Sequence, residues 1–230
     1  ALLAGTYIGT NQYDQVYGVQ TDDSDYVYIM GQTTGAYPIV GPVYSNANST
    51  QFMSKLNTSL STLLYSTTFG TGSLSTTQQT DISPNAFLVD KCQNVYVSGW
   101  GGPIIGSNPG TTSGLPVTAG AIKSTTDGSD FYFIVLTKNF GNLLYASFFG
   151  QTGLSGEHVD GGTSRFDKNG VIYQAICAAC GASTIFPTTS NAYATQNGSN
   201  NCNLAALKID FQLQNPDAVA VISGDTVGCV

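Results

Sequence analysis

The chain has 230 residues, enough to bury a sizeable hydrophobic core. Charged residues make up only 9% of it, and 7 basic side chains against 14 acidic ones give a net charge of −7. Because binding to nucleic acid needs clustered Lys and Arg to release counterions, this composition argues against a nucleic-acid partner. The scarcity of Lys, Arg and Glu leaves little material for exposed helix faces, whereas 27 glycines and 13 tyrosines favour turns and strands.

The composition favours an exported protein, secreted or associated with the cell surface. Ser, Thr and Asn provide solubility without charge, and the cysteines suit a compartment in which disulfides persist. No apolar run approaches about 18 residues, so we expect no membrane-spanning helix. The sequence shows no signal peptide and begins directly with a repeat element, so we interpret it as a processed or partial piece of a longer protein.

An internal repeat that ends in glycine is the strongest pattern. Leu-Leu-Tyr-Ser-Thr-Thr-Phe-Gly at 63–70 returns as Leu-Leu-Tyr-Ala-Ser-Phe-Phe-Gly at 143–150. Leu-Leu-Ala-Gly-Thr-Tyr-Ile-Gly at 2–9 has the same outline. The distances between these copies are too long for a helical hairpin and suit a unit of several strands.

Three further elements recur in the same order between these copies. Two of them form a predicted hairpin, in which an apolar run ends in Asp and a polar turn leads into an alternating aromatic and β-branched run. The hairpins lie at 19–31, 87–99 and 164–175, and the strands that follow them lie at 51–56, 131–136 and 204–209.

The sequence therefore predicts an all-β, β-propeller-like fold with three four-stranded antiparallel blades. We place the blades at about 1–70, 71–150 and 151–211. A β-sandwich is the alternative, and internal repetition favours the propeller. Since propellers need at least about four blades, three blades are part of a ring.

Four short motifs carry a resemblance to a known repeat family. They are Leu64–Thr67, Val89–Asp90 with Asn94–Gly99, Phe186–Thr189 and Phe52–Leu56. These motifs resemble the SBBP-type β-propeller repeats of large secreted Bacteroidota proteins, over about residues 2–211. The resemblance implies a cell-surface or extracellular protein carried by the type IX secretion system and linked with gliding motility or adhesion. It implies no catalytic activity.

The end of the chain follows a different pattern. Residues 212–217 are predicted to form a linker, and the rest of 212–230 the first strand of a following immunoglobulin-like domain. Residues 223–230 resemble the opening of a polycystic-kidney-disease-type domain. Asp225-Thr226-Val227 fits the short motif on which these bacteria attach O-glycans, which makes Thr226 an O-glycosylation candidate.

A cluster of scarce charged residues is the main candidate site. It consists of Glu157, His158, Asp160, Arg165 and Asp167. Carboxylates beside a histidine can bind an ion or a ligand, or act as acid and base. The alternative is a structural ion pair in which Asp160 or Glu157 holds Arg165 at a blade edge, and this structural interpretation is the one we favour.

The cysteines of the third unit are predicted to form a disulfide. Cys177 and Cys180 have the spacing of a redox or zinc motif, but no second pair with matching spacing follows. We therefore favour a disulfide between Cys180 and Cys202 over one between Cys177 and Cys180, and predict no metal site.

Two further patterns have structural and functional interpretations. Asp22, Asp23 and Asp25 could form a calcium loop, but the equivalent turns contain Lys91 and Lys168, which favours ordinary turns. A structural calcium ion is the one cofactor that the sequence leaves open. Trp100 and the tyrosines could stack against sugars, although packing between blades is the more common use of aromatic residues.

These patterns favour a non-enzymatic structural, adhesive or interaction module of a secreted surface protein. Its expected partners are other blades or domains of the same polypeptide, together with surface proteins or glycans. The alternative is a carbohydrate-binding or carbohydrate-cleaving propeller that uses the cluster from Glu157 to Arg165. A glycosidase would need Glu157 and Asp160 about 5–9 Å apart in an open pocket.

Overall fold

A computed structural model of the chain describes residues 1–74, 79–104, 107–153, 156–180 and 186–213. The regular structure consists of antiparallel sheets in which strands that follow one another along the chain are hydrogen-bonded neighbours. The all-β class predicted from the sequence is confirmed. No helix among the described residues is long and apolar enough to cross a membrane. The predicted immunoglobulin-like strand and Thr226 lie outside the described residues.

Three sheets follow one another along the chain. The first contains β1 (Asp14–Thr21), β2 (Val27–Thr33), β3 (Gln51–Leu56) and β4 (Leu63–Phe69). Next come β5 (Ser83–Val89), β6 (Val95–Trp100), β7 (Gly102–Ile104), β8 (Ser107–Gly110), β9 (Phe131–Leu136) and β10 (Leu143–Phe149). Of these, β5, β6, β9 and β10 form the second sheet, and β7 pairs with β8. The third sheet contains β11 (Ser164–Phe166), β12 (Ile172–Ala178) and β13 (Asn203–Ile209).

One sequence prediction needs correction. The third sheet has three strands among the described residues rather than four, and the sequence after Ile209 lacks the Leu-Leu-Tyr pattern that forms the fourth strand elsewhere. Residues 101–114 contain the β7–β8 hairpin, and the side chain of Thr112 is fully buried.

The middle sheet is covered on both faces because its strands alternate apolar side chains up and down. Along β9, the side chains in the cluster shared with the first sheet are Tyr132, Ile134 and Leu136. Those in the cluster shared with the third sheet are Phe131, Phe133 and Val135. Each buried side chain of this kind contributes about 1.5–3 kcal/mol. The second sheet therefore forms the centre of the described fold.

The first strands of consecutive sheets are neighbours, and the repeated Leu-Leu-Tyr strands lie far from them. Strand β5 contacts both β1 and β11. Strands β4 and β10 form the opposite edges of their sheets. Side-chain amides connect the sheets: Gln51 donates to the Ile82 carbonyl at 3.0 Å, and Gln174 donates to Ser98 Oγ at 3.0 Å.

An Asp side chain holds each predicted hairpin turn. Asp22 accepts hydrogen bonds from the backbone N–H groups of Ser24 and Tyr26 at 3.0 and 3.1 Å. Asp90 and Asp167 accept from backbone N–H groups two to four residues further along the chain. The Asp22 carboxylate also forms an ion pair with Lys55 at 3.3 Å. In the proposed calcium loop, Asp22 therefore holds the turn and pairs with a buried lysine.

A glycine and a buried carboxylate form the joint between the first two sheets. Gly70 follows β4 with φ +143°. The next residue, Thr71, donates through its backbone N–H and its hydroxyl to Asp81, at 3.0 and 2.8 Å. Thr50, which precedes β3, donates to the same carboxylate at 3.2 Å. The joint thus connects the residues after β4 to the segment that immediately precedes β5.

The same joint occurs at the N-terminal repeat copy. Gly9 has φ +148°. Thr10 donates its backbone N–H to Asp14 Oδ2 at 2.6 Å, and Thr33 donates its hydroxyl to Asp14 Oδ1 at 2.6 Å. Residues 2–9 therefore end in the conformation that follows a fourth strand, although they form no strand themselves.

Replacing the joint glycine tests this construction. We expect Gly70→Ala to lower the free energy of unfolding by about 3 kcal/mol, because an L-residue rarely adopts this φ and the new Cβ collides with Asp81. Urea denaturation measures the loss. Gly120→Ala is the control, since Gly120 has φ +84° and no atom within 4 Å of an added Cβ. A loss at position 70 no larger than at position 120 would contradict the joint.

Candidate functional site

The third joint, between the second and third sheets, contains two acids. Glu157 Oε1 accepts the backbone N–H of Gln151 at 3.1 Å, as Asp81 does for Thr71. Asp130 directly precedes β9, just as Thr50 directly precedes β3. The joint at Gly150 therefore has a second carboxylate at the position where the joint at Gly70 has the Thr50 hydroxyl. Both acidic side chains lie against Gly150, and both residues are fully buried.

A lysine compensates part of this buried negative charge. Lys123 Nζ lies 2.6 Å from Asp130 Oδ1 and also donates to the carbonyls of Gly150 and Gln151, at 3.3 and 2.9 Å. One oxygen of each acid, Asp130 Oδ2 and Glu157 Oε2, has no hydrogen-bond partner within the described ranges. The joint therefore holds one cation for two carboxyl groups.

Burial is the main reason why the pKa of Glu157 is raised to about 7, and the nearby charge of Asp130 raises it further. The Gln151 N–H and Lys123 act in the opposite direction. Glu157 is thus protonated in the folded chain below neutral pH. A strongly shifted acid marks a candidate catalytic group, but Glu157 has no solvent access through which a substrate could reach it.

The structure separates the acidic cluster that the sequence singled out. Glu157 points into the joint, whereas the Asp160 side chain is 82% exposed, so the two carboxylates do not share an open pocket. Arg165 lies exposed on β11 and forms no ion pair with another described residue. The ion pair between Arg165 and Glu157 or Asp160, which the sequence favours, is therefore absent from the described residues. Asp167 caps the β11–β12 turn.

His158 lies on the other side of the backbone from Glu157, against the end of β12. Its backbone forms a two-way bridge with Cys177, with N–O distances of 3.2 and 3.0 Å. Its Nε2 is 3.5 Å from Asp160 Oδ2, and its Nδ1 is buried without a hydrogen-bond partner in the described part of the chain. The Trp100 ring packs beside the imidazole, with 6.0 Å between ring centroids.

The cysteines of the third unit meet at the same place. Cys180 and Cys202 form the disulfide that the sequence favours, and Cys177 is a free thiol. Cys177 Sγ lies 3.6 Å from Cys180 Sγ. Burial raises the pKa of the Cys177 thiol, and the charge of Asp160 raises it further.

Sequence reasoning missed Asp130 and Lys123 as members of the acidic site. A signal existed, because Asp130 and Thr50 each directly precede the third strand of their sheet. Comparing repeat positions would have shown an acid in the place of a hydroxyl. The contact between Lys123 and that acid had no such signal, since Lys123 lies in a loop without a recurring pattern.

A groove of about 670 Å³ runs beside the third sheet. It is lined by all seven residues of β13, together with Phe149, Phe186 and the loop at 187–197. Because successive side chains of a strand point to opposite faces, a groove that touches every residue lies along the strand edge. Strand β12 is the neighbour of β13, and no other strand of the described residues pairs with the far edge of β13.

Comparison with known proteins leaves the family open. No protein-family model matches the chain, and no curated protein matches it significantly. The SBBP-type resemblance therefore stays a prediction from the motifs.

The raised pKa of Glu157 predicts a pH-dependent stability. Because the folded chain keeps this proton up to about pH 7 while an unfolded Glu loses it near pH 4.5, stability falls as pH rises through that window. The loss amounts to about 3 kcal/mol. Urea denaturation between pH 4.5 and 8 measures it, with Glu157→Gln expected to flatten the profile and the exposed Asp23→Asn to leave it unchanged. A Glu157→Gln profile identical to that of the unaltered chain would contradict this assignment.

Proposed function

We propose that the chain is a non-enzymatic structural module of a secreted surface protein, a partial β-propeller that assembles by strand addition. The observation that supports this most is that one sheet edge lacks a strand while one strand sequence lacks a sheet. The third sheet ends at β13 without a fourth strand among the described residues. Residues 2–9 meanwhile carry a fourth-strand sequence without a sheet.

The order of the sheets supports a propeller. In a propeller, consecutive blades pack face to face, with one strand of each near the axis. Here β5 contacts β1 and β11, and two apolar clusters fill the spaces between consecutive sheets. The Cys180–Cys202 disulfide and the low charge fit an extracellular setting.

The two unpaired elements have matching properties. Residues 2–9 expose Leu2, Leu3 and Tyr7, each at least 90% accessible. Strand β13 exposes Leu204 and lines the apolar groove. An unpaired strand edge beside an apolar groove is the usual template for adding a strand from another chain.

We propose that residues 2–9 of a second copy of the chain occupy this edge. Two copies joined head to tail supply six sheets, within the range of about four to eight blades that propellers use. The β3–β4 pairing gives the register, because Thr67 lies opposite Met53 there. The equivalent positions are Thr6 and Ala206, which places these two residues opposite each other across the interface.

Cross-linking between copies tests the register. Chains carrying Thr6→Cys are mixed with chains carrying Ala206→Cys under mild oxidation, and mass spectrometry identifies the joined peptides. We expect a disulfide between positions 6 and 206 of different chains. The matched control is Leu2→Cys with Ala206→Cys, because Leu2 is expected opposite Ile209 instead.

Sedimentation velocity tests the assembly itself. The full chain is expected to dimerise, and a chain lacking residues 1–9 to remain monomeric. Ile122→Ser, which removes a half-exposed apolar side chain that does not line the groove, is expected to leave dimerisation unchanged. A monomeric full chain would overturn this proposal. A dimer that survives the deletion would also overturn the proposal. So would a chain shortened to residue 213 that dimerises when the full chain does not, because the C-terminal segment of the full chain would then have covered the β13 edge.

A further inference from the structure

Four side chains with zinc-binding atoms converge where β12 ends. A ring nitrogen of His158 and the Sγ atoms of Cys177 and Cys180 all lie within 4.8 Å of one another. Cys202 is held at the same place by its disulfide with Cys180. One histidine with three cysteines is a common ligand set of structural zinc sites.

The sulfur positions suit a single metal ion. Zinc–sulfur bonds of about 2.3 Å with tetrahedral angles place two thiolate sulfurs about 3.8 Å apart. Cys177 Sγ and Cys180 Sγ are 3.6 Å apart. The turn between them contains Ala179 with φ +56°, a left-handed residue that brings Cys180 back toward Cys177. This spacing therefore needs little rearrangement for a metal to bind.

The histidine is oriented as a metal-bound imidazole usually is. Its Nδ1 is buried and has no hydrogen-bond partner among the described residues, which costs free energy unless a ligand satisfies it. Its Nε2 faces the Asp160 carboxylate at 3.5 Å. In zinc sites the second ring nitrogen commonly contacts a carboxylate, which holds the ring and its tautomer. The backbone bridge to Cys177 keeps this imidazole beside the sulfurs.

We propose that reduction of the Cys180–Cys202 disulfide creates a zinc site formed by His158 Nδ1 and the thiolates of Cys177, Cys180 and Cys202. Two molecules of a thiol reductant supply two electrons and two protons, become a disulfide themselves, and leave Cys180 and Cys202 as thiols. A zinc ion then displaces three thiol protons and binds. In the oxidised chain two of the sulfurs are bonded to each other, which leaves His158 and Cys177 as good ligands.

The disulfide and the metal thus provide alternative links at one location. Both connect the end of β12 to the start of β13, so the third sheet keeps its two long strands joined in either redox state. This proposal depends on the side-chain cluster and not on strand addition, and it holds for a monomer as well as for an assembly.

Cobalt binding tests the proposal directly. The full chain is reduced with excess dithiol, freed of reductant without oxygen, and titrated with Co²⁺, whose thiolate charge-transfer and tetrahedral ligand-field bands report the ligands. We expect one Co²⁺ per reduced chain, displaced by one Zn²⁺. The oxidised chain is expected to bind at least about 100-fold more weakly, because two thiolates are missing.

Variants assign the ligands. His158→Ala and Cys177→Ser are expected to weaken binding at least about 10–100-fold and to change the cobalt spectrum. Asp160→Asn, at an exposed position that the fold tolerates, is expected to weaken binding about 10-fold with the tetrahedral bands retained. Cys92→Ser, which removes a disulfide-bonded cysteine in the β5–β6 turn outside this cluster, serves as the matched control, with the cobalt spectrum of the reduced chain expected unchanged.

Three results would overturn the zinc site. They are a reduced chain without thiolate-to-cobalt bands, equal affinity in the oxidised chain, and wild-type binding by both His158→Ala and Cys177→Ser. Circular dichroism of each oxidised variant establishes that it is folded before reduction. The Asp160→Asn result decides the assignment if either ligand variant fails to fold.

Discussion

The rest of this fold depends on how the chain leaves one sheet and enters the next. At the end of each repeat copy, a glycine with positive φ turns the backbone, and a carboxylate from the next sheet accepts the N–H that follows it. A buried N–H without an acceptor costs about 1–3 kcal/mol, and a buried carboxylate without donors costs more. Each group satisfies the other, which fixes the position of the sheets relative to one another.

Repetition of this joint gives the chain a direction. The first two units each end in a fourth strand, and each of the three sheets is preceded by a carboxylate contact, so units continue in only one order. The described chain has both unpaired elements that such a polymer must have: a strand sequence without a sheet at 2–9 and a sheet edge without its fourth strand at β13. The apolar groove beside β13 is consistent with an occupant that brings side chains as well as backbone.

The two unusual clusters of the third unit lie within a few residues of each other and use different chemistry. Glu157 faces inward, where a second acid has replaced a hydroxyl and the protonation of one carboxyl becomes part of stability. His158 faces the sulfurs at the end of β12. The alternation of side chains along extended backbone sends neighbours in sequence to opposite sides of the sheet. Neither cluster offers the pair of solvent-accessible carboxylates that glycoside cleavage uses.

The sequence by itself determined the all-β class, because its alternating runs and Asp-capped turns are local signals of strands and hairpins. Positions 51–56, 131–136 and 204–209 were predicted as strands and are strands. The disulfide between Cys180 and Cys202 is the pairing that the sequence favoured, because Cys202 lies in the same repeat unit, and it is confirmed.

Tertiary structure alone decided which side chains meet. Lys123 and Asp130 come from the β8–β9 connection and Glu157 from the β10–β11 connection, and Arg165 faces solvent although it lies near the acids in sequence. No local pattern encodes that these two connections converge on Gly150, or that the Cys177–Cys180 turn lies beside His158. Such contacts depend on how the sheets pack, and packing is set by the summed burial of the whole core rather than by any one segment.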